Sequence, residues 1–221
     1  MTANEIEIPV KAVKLNGELE FPANPAGLVI FAHGSGSSRH SPRNQYVARI
    51  LREAEMGTLL FDLLSAEEEQ ADSRNYHLRF NIPFLADRLI EATRWILDRS
   101  LNRGMNVGYF GSSTGSAAAL VGAANLSDSI RSIVSRGGRP DLAGDALERV
   151  HAPTLLIVGG EDQPVIGLNE EAVQRLACEK ALRIVPGASH LFEEPGALEK
   201  VAGLASEWFA HCFGAVPNHR S

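Results

Sequence analysis

The sequence predicts an α/β protein whose central sheet is mostly parallel and is covered by helices on both faces. Short apolar runs of strand length alternate with segments of helical period along most of the 221 residues, and Gly, Pro or polar residues bound each run. The composition is that of an ordinary globular protein, with 44% hydrophobic and 22% charged residues. Because this length allows one sizeable core, we expect a single domain over residues 1–221.

Six apolar runs are predicted to form the parallel strands. They cover Gly27–Ala32, Thr58–Phe61, Asn106–Phe110, Ser132–Val134, Thr154–Val158 and Leu182–Val185. Ahead of them, residues Glu5–Phe21 alternate between apolar and polar side chains, which predicts an antiparallel hairpin at the sheet edge. We place its turn at Asn16-Gly17, since Asn-Gly is the strongest short signal for a tight hairpin turn.

Segments of helical period fill the intervals between these strands, so each crossover is predicted to have its helix. The predicted helices cover residues 44–56, 82–100, 115–126, 141–149, 168–179 and 196–213. The one irregular interval is 63–78, where Glu67-Glu68-Glu69 predicts a solvated acidic loop.

Charge and hydropathy exclude two kinds of partner. The formal net charge is −6 and the basic residues are scattered, so the positive stripe of a nucleic-acid-binding protein is missing. The chain does not open on a basic segment followed by an apolar run, and no run approaches the ~18 apolar residues that cross a bilayer. We expect a cytoplasmic protein that acts on a small molecule without a cofactor or metal.

A nucleophile is predicted where a strand gives way to a helix of small residues. The segment Gly111-Ser112-Ser113-Thr114-Gly115 stands there, and only Ser113 has a glycine both two positions before it and two positions after it. A GxSxG serine on such a strained turn has its hydroxyl raised above the sheet. The alternative is a phosphate-binding turn at a helix N-terminus, but its GxGxxG and GxxxxGK[ST] spacings are missing.

A general base is required because a serine hydroxyl becomes a good nucleophile only when its proton is removed. Among seven histidines, His190 follows the last predicted strand by a short loop, which places it at the same sheet edge as Ser113. His33 stands before Gly34 at the end of an earlier strand, and we predict that it shapes its loop.

An acid is needed to hold the base in the correct tautomer. Asp162 comes directly after the strand that precedes His190, and the chain order Ser113, Asp162, His190 is the order of nucleophile-elbow enzymes. Glu161 is the adjacent alternative and Asp141 a more remote one.

Backbone amides are predicted to stabilise the oxyanion of a tetrahedral intermediate. The Thr114 amide follows the nucleophile directly, and the loop His33–Ser38 after an early strand can bring the Ser35 amide to the same place. The alternative for that loop is an ordinary turn.

With FAHGSGSS, GYFGSSTGS, GGEDQPVI and GASHLF in this order, the chain resembles the α/β-hydrolase superfamily, most closely its small lid-less members related to dienelactone hydrolase. The resemblance covers nearly the whole chain. It implies an α/β-hydrolase fold with about eight strands and a two-step mechanism in which Ser113 forms an acyl-enzyme that water then hydrolyses.

The sequence departs from this pattern at the nucleophile. Dienelactone hydrolase proper carries cysteine in the elbow, whereas this chain has Ser113, so a carboxylesterase acting on small esters or lactones is the predicted function. The segment Ser135–Pro153 is too short for the helical cap domain that many relatives insert, which predicts an open, shallow pocket.

Two arginines are candidate substrate-binding residues. Arg136 and Arg139 lie in Ser135-Arg136-Gly137-Gly138-Arg139-Pro140, where a strand is expected to open onto the site, and either could bind a substrate carboxylate bidentately. The alternative is that each pairs with a surface acid.

Two other functions remain open. A catalytically slow ligand-binding or sensor protein could retain the same three residues on the same fold, and only its turnover rate would distinguish it. A nucleotide-binding domain is the other, and it predicts a melting temperature that rises with phosphorylated ligands.

Overall fold

The computed structural model describes residues 4–99 and 104–214, which form one eight-stranded sheet with helices on both faces. The strand order is β1-β2-β4-β3-β5-β6-β7-β8. Strands β3 to β8 are parallel to one another, whereas β2 pairs antiparallel with both of its neighbours, β1 and β4. The strands are β1 Asn4–Val10, β2 Val13–Glu20, β3 Leu28–Ala32, β4 Gly57–Phe61, β5 Val107–Ser112, β6 Ile130–Arg136, β7 Thr154–Gly159 and β8 Lys180–Val185. All six predicted parallel strands are confirmed.

The helices cover the sheet in two layers that enclose separate apolar clusters. They are α1 Pro42–Glu53, α2 Ala66–Asp72, α3 Ile82–Leu97, α4 Thr114–Asn125, α5 Gln163–Arg175 and α6 Ala197–Phe213. Helices α1 and α6 pack on one face, while α3 and α4 pack on the other. A 3₁₀ segment, Pro140–Arg149, stands where residues 141–149 were predicted as helix, and it is kinked at Gly144. Among the described residues, no helix is long and apolar enough to cross a membrane.

The predicted edge hairpin is present, but the prediction of its turn was wrong. Strands β1 and β2 are joined at Lys11-Ala12, with Lys11 at φ 52°, and Asn16-Gly17 lies inside β2. The observed register pairs Ile8 with Leu15, so both apolar side chains are buried in the core. Gly17 is suited to its place in β2, because an added Cβ would lie 3.2 Å from the Cβ of Phe61.

The predicted acidic loop at 63–78 was also wrong, since α2 forms within it. Ser65 caps this helix and forms a capping box with Glu68, in which each side chain accepts from the other residue's backbone amide. The acidic first turn suits the positive end of the helix dipole. The capping-box spacing is present in the sequence and is the signal that predicts a helix here.

The connection from β6 to β7 spans residues 137–153 and holds only the 3₁₀ segment. No cap domain is inserted at this point, as the short segment predicted. The carboxyl ends of the parallel strands therefore meet at an edge that is formed by loops and by the first turns of helices, without an inserted domain above them.

Candidate active site

The nucleophile elbow is a strained turn between β5 and α4. Ser113 has φ 50° and ψ −121°, a conformation that residues other than glycine rarely adopt. Three backbone hydrogen bonds hold it there: the Ser113 amide donates to the Arg136 carbonyl, and the Ser113 carbonyl accepts from the amides of Ser116 and Arg139, all at 3.1–3.2 Å.

Both glycines of the GxSxG motif are required because neighbouring backbone atoms occupy the space that a side chain would need. A Cβ added at Gly111 would lie 2.5 Å from the Cα of Ser116, and one at Gly115 would lie 2.1 Å from the carbonyl oxygen of Ala32. Real Cβ atoms essentially never approach so closely, so α4 could not pack against β3 and β5 with larger residues here. The motif is therefore a steric condition for this turn.

Asp162 and His190 are in direct contact, although they lie on different loops. The Nδ1 of His190 is 2.6 Å from Oδ2 of Asp162, so Nδ1–H donates to the carboxylate and Nε2 is left as an acceptor. Asp162 stands at the start of α5, but its side chain makes no capping hydrogen bond there. Its carboxylate is thus free to orient the imidazole.

The alternatives to Asp162 are placed elsewhere. Glu161 is exposed to solvent, and the carboxylate of Asp141 accepts two hydrogen bonds from Arg139. Neither is hydrogen-bonded to His190 in the described part of the chain. Of the three acids considered, the geometry favours Asp162.

The His190 loop approaches the elbow through Gly137. A Cβ built on Gly137 would lie 3.1 Å from the His190 carbonyl oxygen and 3.6 Å from its ring carbon Cε1. Gly137 follows Arg136, whose carbonyl holds the Ser113 amide. No hydrogen bond joins Ser113 to His190 among the described residues; such contacts often tighten only when substrate is bound.

The two predicted oxyanion residues are in contact with each other. The Ser35 amide donates to Oγ1 of Thr114 at 2.9 Å, so this amide already has an acceptor within the protein. The Thr114 amide is in the first turn of α4, where backbone donors have no partner inside the helix. Of the two predicted donors, the Thr114 amide is the one that the helix geometry leaves available.

His33 shapes its loop. Its Nε2 accepts from the Leu63 amide at 3.0 Å, so its Nδ1 carries the proton and donates to the Gly34 carbonyl at 2.9 Å. Burial lowers the pKa of His33, which favours this neutral form. The ring ties the loop after β3 to the end of β4.

The two candidate arginines differ in their partners. Arg139 donates from Nε and Nη2 to the two carboxylate oxygens of Asp141, at 2.9 and 2.7 Å, so this guanidinium is occupied. Arg136 is buried with 8% exposure and donates only from Nη2, to Oδ1 of Asn44 at 3.4 Å. Its Nε and Nη1 have no hydrogen-bond partner among the described residues. Sequence alone could not separate the two.

A cleft of about 610 Å³ lies between the loop after β3 and the segment after β4. One wall holds Ser35 and Arg43, and the other holds Ser65 and Glu69 at the start of α2. The loop that carries Ser35 also packs on the elbow, since a Cβ at the neighbouring Gly34 would lie 3.0 Å from the Ser113 Cβ. Residues 63–78 thus supply a wall of the cleft beside the candidate site.

Sequence reasoning missed Arg43 and Asn44, which lie near Arg136 in the first turn of α1. The available signal was their position: α1 follows the loop that carries Ser35, so its first turn lies at the same sheet edge as the elbow.

Comparison with known proteins assigns the family. The crystal structure of dienelactone hydrolase from Anabaena variabilis is 56% identical, with a TM-score of 0.94, and the match covers 96% of this chain and 98% of that chain. Est1E from Butyrivibrio proteoclasticus has a TM-score of 0.80 over 96% of this chain and all of that chain at 15% identity, a likeness of fold alone. No protein-family model matches the chain.

Two curated relatives from strains of Mycobacterium tuberculosis are 53% identical over 215 residues, and both are provisionally named phosphoribosyl transferases. The match covers 97% of this chain but 48% of each relative, so the chain spans about half of their length. The fold, the elbow and the identity to the Anabaena protein together define its class. The chain belongs to the dienelactone hydrolase family of α/β hydrolases.

Proposed function

We propose that this protein is a serine hydrolase of small carboxylic esters or lactones, with Ser113 as nucleophile, His190 as general base and Asp162 as the acid that orients the base. The observation that carries the proposal is the 2.6 Å hydrogen bond between His190 and Asp162 at the sheet edge where the strained Ser113 turn lies. A histidine–aspartate pair alone would fit an ordinary surface ion pair. Its position at the same sheet edge as the Ser113 elbow, whose two glycines are required by close backbone contacts, favours a catalytic role.

Acylation begins when Oγ of Ser113 attacks the ester carbonyl carbon and Nε2 of His190 takes its proton. The negative charge on the carbonyl oxygen is stabilised by the Thr114 amide, and the Ser35 amide is the second donor once it shares or exchanges its bond to Oγ1 of Thr114. The bond from carbon to the alcohol oxygen then breaks, and His190 returns the proton to the departing alcohol.

Deacylation repeats the same proton transfers with water in place of the serine. His190 removes a proton from water, the hydroxide oxygen bonds to the acyl carbon, and the ester bond to Ser113 breaks. The proton passes back to Oγ of Ser113, and a carboxylic acid leaves. Asp162 stabilises the imidazolium in both steps and remains ionised.

The transferase name of the mycobacterial relatives supports no activity in this chain. Those proteins are about twice as long, and this chain matches 48% of each, so their name describes proteins of which this chain corresponds to about half.

The test is hydrolysis of short-chain p-nitrophenyl esters and a small lactone by the wild type, Ser113→Ala and Ser112→Ala. Ser112 is the matched control, because it is the neighbouring hydroxyl at the end of β5 and lies outside the GxSxG register. We expect Ser113→Ala to lose at least ~10³-fold in kcat and Ser112→Ala to stay within about threefold of the wild type. Circular dichroism checks that all three proteins are folded.

Activity that survives in Ser113→Ala would contradict the nucleophile assignment. Failure of the wild type to turn over any of these substrates would favour the alternative function, a slow ligand-binding or sensor protein on the same fold. Labelling of Ser113 by a fluorophosphonate then tests whether this serine is activated, since a reactive serine reacts even without a matching substrate. A hydrolase and a sensor that retains the same three residues would both be labelled, so a wider substrate range and the turnover rate separate those two.

A further inference from the structure

The last residue of β6 and the three residues after it hold the nucleophile elbow from two sides, and we call these residues, 136–139, the connector. The Ser113 amide donates to the Arg136 carbonyl at 3.2 Å. The Arg139 amide donates to the Ser113 carbonyl at 3.1 Å. The position of Ser113 therefore depends on the position of the connector.

The connector also meets the segments that carry the other two candidate catalytic residues. A Cβ built on Gly137 would lie 3.1 Å from the His190 carbonyl oxygen. The Gly137 amide donates to the Ile157 carbonyl of β7 at 2.8 Å, and β7 leads into the loop that ends at Asp162. A displacement of the connector would thus change the position of the elbow relative to both neighbouring loops.

Asn169, in the interior of α5, donates to the connector from a fully buried position. Its Nδ2 donates to the Gly138 carbonyl at 3.0 Å and, within the helix, to the Val165 carbonyl at 2.8 Å. Both partners are carbonyl oxygens, so the NH2 group of the amide has to face them. Among the described residues, Asn169 is the one side chain that donates to the backbone of the connector.

The space around Gly138 is buried but polar. The hydroxyls of Ser116 and Ser135 and the Oδ1 of Asn169 are buried, and they have no hydrogen-bond partner in the part of the chain that the structure describes. A Cβ at Gly138 would lie 2.0 Å from Oγ of Ser135 and 2.6 Å from Oγ of Ser116. The Ser116 amide donates to the Ser113 carbonyl, so Gly138 packs directly behind the elbow.

An apolar residue would suit the interior of α5 better than Asn169 does. Asparagine has a low helix propensity, and a buried amide oxygen without a partner costs free energy. Departures of this kind from local consistency are typical of functional sites. The bond to Gly138 gives the side chain a role, because it joins the helix that begins after Asp162 to the segment that holds Ser113.

We propose that Asn169 is a positioning residue of the candidate active site: its hydrogen bond to the Gly138 carbonyl holds the connector against α5 and so fixes Ser113 relative to Asp162 and His190. Asn169 is fully buried and acts only through the connector. A displacement of reacting groups by about 1 Å costs up to about 10²-fold in rate. The inference rests on the proposed hydrolase function and adds to it a residue that does not touch the substrate.

The first experiment measures kcat and KM for a short p-nitrophenyl ester in the wild type, Asn169→Leu and Asn169→Thr. Leucine is branched at Cγ as asparagine is but forms no side-chain hydrogen bond. Threonine can still donate to the Val165 carbonyl, four residues earlier, while its shorter side chain is not expected to reach Gly138. Asn125→Leu is the matched control, since the exposed Asn125 of α4 makes the same intrahelical bond, to the Val121 carbonyl at 2.8 Å. Urea denaturation gives the folded fraction of each protein.

We expect both Asn169 variants to lower kcat about 10- to 100-fold with KM within about threefold of the wild type, and Asn125→Leu to change neither by more than about twofold. A kcat per folded molecule that stays within about twofold, or a rise in KM alone, overturns the proposal. So does full activity in Asn169→Thr beside a loss in Asn169→Leu, because the bond within α5 would then be the one that matters. If neither variant folds, Asn169→Ser, which fills less space, is held to the same expectation.

The second experiment measures the reactivity of Ser113 without a substrate. The rate of labelling by a fluorophosphonate is compared among the same proteins and Ser113→Ala, and we expect the Asn169 variants to react about 10- to 100-fold more slowly than the wild type. An unchanged rate overturns the role of Asn169, whether or not the wild type hydrolyses the ester. If instead Ser113→Ala is labelled as fast as the wild type or keeps its esterase activity, the proposed function itself fails and this inference falls with it.

Discussion

Two arginines with little exposure, Arg79 beside α2 and Arg136 at the end of β6, have opposite surroundings. Arg79 donates from Nε to the buried carboxylate of Asp72 at 2.6 Å, and its Nη2 is 3.2 Å from Glu69. Arg136 has one weak bond to the Asn44 side chain and two nitrogens without partners among the described residues. The first cation is neutralised within the chain, whereas the second has no carboxylate partner in the described ranges 4–99 and 104–214.

The backbone shows the same contrast. Helix α2 begins with a complete capping box, while the elbow holds Ser113 at φ 50°, a strain of about 1–3 kcal/mol. Around α2, the helix is capped and its buried charges are paired, although Tyr76, between Asp72 and Arg79, also has a positive φ of 56°. At the carboxyl edge of the sheet, the strained Ser113 turn and a buried cation with no carboxylate partner among the described residues lie next to the candidate catalytic residues, and such departures from local consistency are typical of functional sites.

The largest expected effect is the loss of kcat in Asp162→Asn, which we compare with Asp72→Asn because both variants change a carboxylate that is at least partly buried. Asp162→Asn should lower kcat about 10³- to 10⁴-fold, because an amide at this position no longer selects the tautomer of His190 that accepts the proton of Ser113. Its effect on the free energy of unfolding should be small, since the Asp162 side chain makes no helix-capping hydrogen bond. Ester hydrolysis and urea denaturation measure the two quantities.

Glu161→Gln is the control for this prediction. It removes an exposed carboxylate from the adjacent position and should leave kcat within about twofold of the wild type. The comparison between regions fails if Asp162→Asn keeps more than a tenth of the activity, or if Glu161→Gln loses as much as Asp162→Asn.

Asp72→Asn should have the opposite profile. The carboxylate also accepts from the Leu78 amide at 2.5 Å, and breaking a buried charged pair by changing one partner typically destabilises a protein by about 3 kcal/mol. Asp72 does not line the cleft, although its partner Arg79 also contacts the cleft residue Glu69 at 3.2 Å. We therefore expect kcat per folded molecule to fall much less than it does in Asp162→Asn.

The pH dependence of unfolding tests the same residue. Burial alone would raise the pKa of the Asp72 carboxyl, but the hydrogen bonds from Arg79 and Leu78 outweigh it and hold the pKa below its ordinary value of 3.8. The stability from this group is therefore present in full above that value and is lost as the pH falls through the lower folded-state pKa. Asp72→Asn should flatten the acid limb of the stability curve; an unchanged limb would assign the effect to other carboxylates.

The elbow, helix α2 and the edge hairpin show how much of the fold and of the candidate site the sequence could predict. The elbow and the parallel strands were predictable, because the glycine spacing and apolar runs leave few structural choices. Helix α2 was predicted as a loop because the charge of Glu67-Glu68-Glu69 was given more weight than the Ser65 capping box. The hairpin turn was misplaced because the positive φ of Lys11 is set by the pairing of β1 with β2, which no local signal encodes.

The two arginines mark a further limit of sequence reasoning. Arg136 and Arg139 belong to one short motif, and both could meet an acid or a substrate. Asp141 is two residues from Arg139, so that pair is local, whereas the surroundings of Arg136 are set by α1, 92 residues earlier in the chain. Tertiary packing alone decides which guanidinium is free.

The smallest expected effect is a gain in stability, and it tests whether the buried charge of Arg136, which has no carboxylate partner among the described residues, costs the protein stability. Arg136→Met replaces the aliphatic part of the side chain by one of similar length and removes the buried charge, so the free energy of unfolding should rise by about 1–2 kcal/mol. Arg79→Met, the matched variant, should lose stability because it leaves Asp72 without its cation. Urea denaturation at pH 7 measures both. A destabilised Arg136→Met protein would mean that Arg136 supports the fold as Arg79 does, and the contrast between the two regions would not hold.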